Sequence, residues 1–162
     1  MRAVHPRRAL LRRLAGAETP RLPPWTADDF SDRCTRCGDC VRTCPEQVLR
    51  LGDGGFPQLD LTHAGCSLCG ACADSCDAGL FDRAQPAFPW RARIGERCLA
   101  LAGIHCRACE DSCEARAIRF RPQLGGPPLP QLDSLACTGC GACLAPCPSQ
   151  AIQLSEEMTA DA

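Results

Sequence analysis

Cys34, Cys37, Cys40 and Cys44 follow the spacing CxxCxxCxxxC, and Pro45 comes directly after the last of them. Three thiolates this close together can wrap one loop around three corners of an iron-sulfur cubane, while the fourth, on a short following helix, points away from it. The same spacing recurs at Cys66, Cys69, Cys72 and Cys76, and again at Cys137, Cys140, Cys143 and Cys147. A looser set, Cys98, Cys106, Cys109 and Cys113, brings the cysteines to 16. Loops of this kind are pinned by what their sulfurs hold, so they limit the fold more than any apolar pattern in the chain.

Cysteine at this density means disulfides in an oxidising compartment or metal in a reducing one. Cysteines three apart and repeated in threes are poorly placed to pair with one another. Met1 to Phe30 also contain no apolar run of the about 7–15 residues that a secretory signal requires. Metal is therefore the expectation. Structural zinc fits badly, because ribbons and fingers separate their CxxC pairs by about a dozen residues or more. In a chain of 162 residues, 4% of them aromatic and none Tyr, two small halves bury too little hydrocarbon to offset chain entropy without staples. The formal net charge of -1 counts neither thiolates nor iron. Each cubane held by four thiolates adds negative charge, so the folded protein is expected to be distinctly acidic. No window approaches the ~20 apolar residues of a spanning helix, which leaves a soluble or at most peripheral protein.

The chain divides by composition. Residues 1–30 form a leader and linker without cysteine, in which Arg2, Arg7, Arg8, Arg12, Arg13 and Arg21 face only Glu18 before Asp28. Pro6 can open a short, imperfectly amphipathic helix that Gly16 and Pro20 close. Arg7 to Arg12 look like a twin-arginine export motif, but the apolar stretch after Arg13 is far too short for export. Arg21-Leu22-Pro23-Pro24-Trp25 reads as a stiff extended connection. Residues 31–83 form a first domain: cluster loop, short helix, a hairpin of Val48 to Leu51 with Phe56 to Leu61, a second cluster loop and helix, and Gly79 to Phe81 as a closing strand. Residues 84–92 read as a linker, 93–155 as a second domain ending in the strand Ala151 to Leu154, and 156–162 as a polar tail.

The second domain repeats the first. Cys106, Cys109 and Cys113 lie 69 residues after Cys37, Cys40 and Cys44, and the last quartet lies 71 after the second. Pro57-Gln58-Leu59-Asp60 returns as Pro130-Gln131-Leu132-Asp133, and the added length falls in the hairpin at Gly125 to Pro128. The fold expected is α+β: two tandem bacterial 2[4Fe-4S] ferredoxin-like domains with a basic N-terminal extension.

Crossed ligation, as in two-cluster ferredoxins, puts Cys34, Cys37, Cys40 and Cys76 on one cluster and Cys66, Cys69, Cys72 and Cys44 on its neighbour. In the second domain the crossed sets are Cys98, Cys106, Cys109 and Cys147, and Cys137, Cys140, Cys143 and Cys113. Sequential ligation, one quartet per cluster, uses the same sixteen residues and stays open. Four [4Fe-4S] clusters are expected, or three if the Cys98, Cys106, Cys109 and Cys113 set is empty. That set departs from the others: Cys98 stands far ahead of Cys106, Glu110 is read where the others have Gly38, Gly70 and Gly141, and Glu114 replaces the proline after the last cysteine. Asp77 makes the same replacement in the second quartet.

No dinucleotide fingerprint, P-loop or radical-SAM cysteine motif is present, so an enzyme is not expected. His63 and His105 read as surface or supporting residues, and the Arg-rich leader alone is too little to imply nucleic-acid binding.

End to end, the chain resembles the ferredoxin-type NapF proteins that accompany periplasmic nitrate reductases. The likeness rests on the basic leader, Arg21 to Trp25, Cys34-Thr-Arg-Cys37, Gly54-Gly55-Phe56-Pro57, the set at Cys66 to Cys72, Ile94 to Ala100, and above all Cys106-Arg107-Ala108-Cys109-Glu110-Asp111-Ser112-Cys113-Glu114. The resemblance implies a cytoplasmic, non-enzymatic iron-sulfur protein. It implies that the protein interacts with the catalytic molybdenum subunit of the reductase before export and assists its iron-sulfur or molybdenum-cofactor maturation. A general multi-cluster electron carrier is the alternative.

Overall fold

The computed structural model describes residues 20–156; the leader helix expected after Pro6 lies outside them. Helices are one turn long and strands are short, as a chain interrupted by cysteine loops dictates. The first half contains α1 (Phe30–Arg33), α2 (Asp39–Arg42), β1 (Leu49–Leu51), a 3-10 turn (Asp53–Gly55), β2 (Pro57–Leu59) and α3 (Ala71–Asp74). The second contains β3 (Trp90–Ile94), α4 (Ala108–Asp111), β4 (Ile118–Gln123), β5 (Gly126–Leu132) and β6 (Ile152–Glu156).

Each half has a hairpin between its cluster loops. Leu49 pairs with Leu59 and Leu51 with Pro57, and in the longer copy Ile118 pairs with Leu132 and Phe120 with Pro130. Alternation puts Leu49 and Leu59, or Ile118 and Phe120, on the inner face. The first hairpin is present with tighter limits than expected; in the second, β5 already begins at Gly126, so of the expected turn at Gly125 to Pro128 only Gly125 lies between the strands.

The closing strands differ from expectation. Gly79 to Phe81 contribute only an isolated bridge, Phe81 to Thr26. Ala151 to Leu154 is the inner part of β6, which pairs antiparallel with β3, Trp90 against Glu156 and Ile94 against Ile152. A segment before the first cysteine thus folds back on the end of each half. The backbone groups of these segments are paired: Leu59 N–H donates to Arg21 O at 2.8 Å, Trp25 N–H to Ala87 O at 2.9 Å, and Asp82 N–H to Trp25 O at 2.8 Å. Residues 20–27 are accordingly built into the first half rather than being a free connection.

Residues 84–92, read as a linker from Pro86 and Pro89, are likewise packed. Phe88 is 1% exposed and stacks on Trp90 with centroids 4.9 Å apart. Both belong to the core of the first half with Val48, Leu49, Leu59 and Leu61, onto which Leu144 and Leu154 of the second half also pack. Prolines give this stretch its linker signature, yet its two aromatic rings are among the few large apolar groups the chain has to bury. The second core gathers Ala92, Ala100, Ile118, Phe120, Ala151 and Ile152. In both cores cysteines lie among the hydrocarbon, Cys40 and Cys72 in one and Cys98, Cys109 and Cys143 in the other.

The halves meet closely. Trp90, the first residue of β3, packs its ring in the core of the first half while its Nε1–H donates to Gly139 O at 3.0 Å, and Cys66 N–H donates to Cys140 O at 2.9 Å. Among the described residues no helix is long and apolar enough to cross a membrane.

Candidate iron-sulfur centres

The local conformation around each cysteine loop repeats. Gly38, Gly70 and Gly141 follow the second cysteine of their quartets with φ of +79°, +83° and +77°, a region glycine enters without steric cost. Gly38 and Gly70 directly precede the first residues of α2 and α3. In the third quartet the corresponding residue is Arg107, which precedes α4 with φ -135°. This corrects the reading of Glu110: it follows the third cysteine, not the second. Its carboxylate accepts from Phe120 N–H at 3.0 Å and from Arg107 Nε at 2.7 Å, tying the loop to β4. The Phe120 amide, then Arg107, holds Glu110 below the usual glutamate range.

After the last cysteine of every quartet the chain makes the same turn. Gln47, Gly79, Arg116 and Gln150 each stand three residues on with positive φ, between +49° and +60°. Each donates its N–H back to the carbonyl of Cys44, Cys76, Cys113 or Cys147, at 2.9 to 3.2 Å. The prolines after Cys44 and Cys147 suit the second position of such a turn. Asp77 and Glu114 occupy it equally.

Among the described residues, four cavities are lined by cysteine, four residues each. The first, site A, has Cys34, Cys37, Cys40 and Cys76 beneath Phe30, Leu80 and Phe81. The second, site B, has Cys44, Cys66, Cys69 and Cys72 among Pro24, Trp25, Val48 and Leu59. Site C has Cys113, Cys137, Cys140 and Cys143 against Ala92, Ile118 and Leu154. Site D has Cys98, Cys106, Cys109 and Cys147 against Ile94, Phe120 and Ile152. The last cysteine of each quartet lines the cavity of its neighbour, carried away from its own loop by a one-turn helix in the first three quartets and by a run of turns in the fourth. Cys98, distant in sequence, reaches site D through turns in which Ala102 N–H donates to Cys98 O and Ile104 N–H to Leu99 O. His63 and His105 line none of these four cavities.

The donor chemistry suits a cluster. All sixteen thiols are free. Among the described residues no three His, Cys, Asp or Glu side chains converge tightly enough for a single ion. Zinc, with sulfurs about 2.3 Å from the metal, would need that convergence. A cubane, which presents an iron at each of four corners, accepts sulfurs set further apart.

The buried sulfurs feel the other sulfurs of their own cavity and, for Cys72 and Cys143, a sulfur of the adjoining one. Burial pushes the Cys40 thiol up to about 11, helped by Cys34, Cys37 and Cys76. Burial, then Cys66, Cys40 and Cys44, pushes Cys72 to about 12. Cys109 rises to about 11 through burial and the charges of Cys98, Cys147 and Cys106. Cys143 rises to about 12 through burial, Cys140, Cys137 and Cys109. Cys147 runs the other way: burial raises it, but hydrogen bonds led by Ala151 N–H, 3.3 Å from Sγ, outweigh that and lower it. Without iron, then, most buried thiols stay protonated at neutral pH, and binding must displace those protons.

The family model of the 4Fe-4S dicluster domain matches residues 33–80 and 104–151. The fold and the repeated sites thus define a tandem dicluster iron-sulfur protein, and its cofactors are [4Fe-4S] clusters, which supply one-electron redox chemistry. The chain is 46% identical over 133 residues to the ferredoxin-type protein NapF of Escherichia coli strain K12, covering 80% of this chain and 81% of that one. It is 42% identical over 138 residues to NapF of Haemophilus influenzae, covering 83% and 78%. The methylamine utilization ferredoxin-type protein MauM of Methylorubrum extorquens matches at 34% over 154 residues, covering 78% and 68%. The chain belongs to the ferredoxin-type NapF family.

Proposed function

We propose that sites A to D each hold one [4Fe-4S] cluster, with the four cysteines lining each cavity as ligands. We propose further that the protein is a non-enzymatic cytoplasmic accessory factor. It engages the catalytic molybdenum subunit of periplasmic nitrate reductase before export and assists its iron-sulfur or molybdenum-cofactor maturation. Membership of the NapF family carries the reading, and the four cysteine-lined cavities support the ligand assignment. In this scheme the apolar walls limit water at the sulfurs, Gly38, Gly70 and Gly141 let main chain pass close to sites A, B and C, and the turn after each last cysteine aims that sulfur at the neighbouring cavity.

The ligand assignment separates from the sequential alternative through Cys44→Ser in the full chain. Crossed ligation places the defect at site B and sequential ligation at site A. Selective labelling of the cysteine β-carbons with carbon-13 distinguishes them, since ligands of the damaged site lose their contact shifts. If Cys34, Cys37 and Cys40 are the ones affected, the crossed scheme is wrong. The accessory role is tested by co-purification with the unexported catalytic subunit and by reductase activity in cells lacking the protein. No complex, together with full activity, would exclude it.

A second reading, a general electron carrier, draws support from the MauM relative, whose name belongs to methylamine utilization rather than to a nitrate reductase system. Efficient electron transfer by the full chain, with no complex with the unexported subunit and full reductase activity in cells lacking the protein, would favour the carrier over the docking factor.

A further inference from the structure

Gly65-Cys66 and Cys140-Gly141-Ala142 meet across the boundary between the halves. Cys66 N–H donates to Cys140 O at 2.9 Å. A Cβ on Gly65 would lie 2.5 Å from the Ala142 main chain, and one on Gly141 would lie 2.5 Å from Leu61 Cδ1. Two glycines therefore permit an approach that other residues would block, and this approach joins a cysteine of site B to one of site C.

Within each half the two sites share one core through a buried cysteine of each. Cys40 of site A and Cys72 of site B lie in one core cluster, and Cys109 of site D and Cys143 of site C in the other. The order A, B, C, D is continuous.

We infer that the Gly65–Cys66 and Cys140–Gly141 seam is an electron junction, positioning sites B and C so that the four centres form one relay rather than two independent pairs. The inference rests on the ligand assignment proposed above. One electron crosses the seam: the centre it leaves is oxidised by one unit, the centre it reaches is reduced by one, and no bond or proton changes place. A low-potential one-electron reductant such as dithionite supplies it.

Gly65 is the place to test this, because it is not a ligand and its φ is not positive, so a larger residue acts there as a wedge. The full chain is loaded anaerobically and its iron and sulfide are counted first. A wild-type count below four cubanes refutes the ligand assignment and is distinguishable from any result at the seam. With the count established, dithionite-reduced wild type and Gly65→Val are compared by EPR. The expected result is equal iron and a partial loss of spin-coupling broadening in the variant: the share from A–B and C–D persists within each half, and the share across the seam falls, since dipolar coupling falls with the cube of distance. Identical broadening overturns the inference.

Should Gly65→Val fail to load, the double variant Cys37→Ala/Cys106→Ala takes its place. It disables the outer sites A and D, so any broadening left arises across the seam, and retained broadening is the expected result. Two sharp, uncoupled signals from it would overturn the inference as well.

Discussion

Replacing Phe88 by alanine tests whether residues 84–92 are structure or tether. The ring is among the largest fully buried side chains, 1% exposed, and stacks on Trp90 at 4.9 Å and 22°. Its Cβ also lies 3.1 Å from where a Cβ on Gly139 would sit, so its surroundings come from both halves. Emptying such a site costs about 3–5 kcal/mol when the walls cannot collapse. Main chain on the Gly139 side and the Trp90 ring leave little room for collapse. At about 1.4 kcal/mol per decade, the lower figure is about a hundredfold in the folded-to-unfolded ratio. Cluster loss makes unfolding irreversible, so the quantity to measure is the rate at which the loaded protein loses its visible absorbance in urea under anaerobic conditions. That rate receives whatever part of the loss is absent from the transition state, and a rise of about tenfold or more is expected. Leu124→Ala, at a side chain 104% exposed, is the control and leaves the rate unchanged. A change of less than about twofold in Phe88→Ala would return this stretch to the status of a tether and refute the packing argument.

Trp90→Phe keeps the stack but removes the donor to Gly139 O, leaving a buried carbonyl unpaired at about 1–3 kcal/mol, which faster bleaching on heating would reveal. Gly139→Ala forces alanine to φ +76° and puts its methyl 2.6 Å from Trp90 O. The backbone strain alone is about 1–2 kcal/mol. Iron content after anaerobic loading should fall, and full loading would contradict this geometry. Loading should also strengthen as pH rises. Cys40 and Cys109 keep their protons to about 11, and Cys72 and Cys143 to about 12, so each must release one to bind iron. A chelator competition series spanning neutral to mildly alkaline pH checks the sign, and tighter binding at lower pH would reverse it.

The cysteine ladder is legible because ligand spacing is a local property. Three sulfurs on one loop follow from residue numbers alone, and so does the duplication. The hairpins follow from alternation and glycine turns for the same reason. What lies beyond reach is non-local. Nothing in Pro86-Ala87-Phe88-Pro89 says that Phe88 will be buried, because that depends on Leu49, Leu59 and Trp90 lying alongside it. The pairing of Trp90 with Glu156 spans most of the second half, and its signal is the placement of Trp25 and Trp90 at similar distances before the first cysteine of each half. Arg107 escapes notice for a simpler reason: the long gap after Cys98 obscures which cysteine is the second. The offset of 69 residues aligns Arg107 with Gly38. The positive φ of Gln47, Arg116 and Gln150 is hidden because these are not residues that advertise a left-handed conformation.

The four-residue turn after each last cysteine has a use beyond aiming that sulfur. Pro45, Asp77, Glu114 and Pro148 occupy equivalent places in it while every turn keeps its closing hydrogen bond. Neutral and anionic side chains are therefore interchangeable right beside each last cysteine without altering the backbone. These four places are handles for setting the electrical field at each centre separately, so that one scaffold can be given a steeper or shallower voltage profile from end to end.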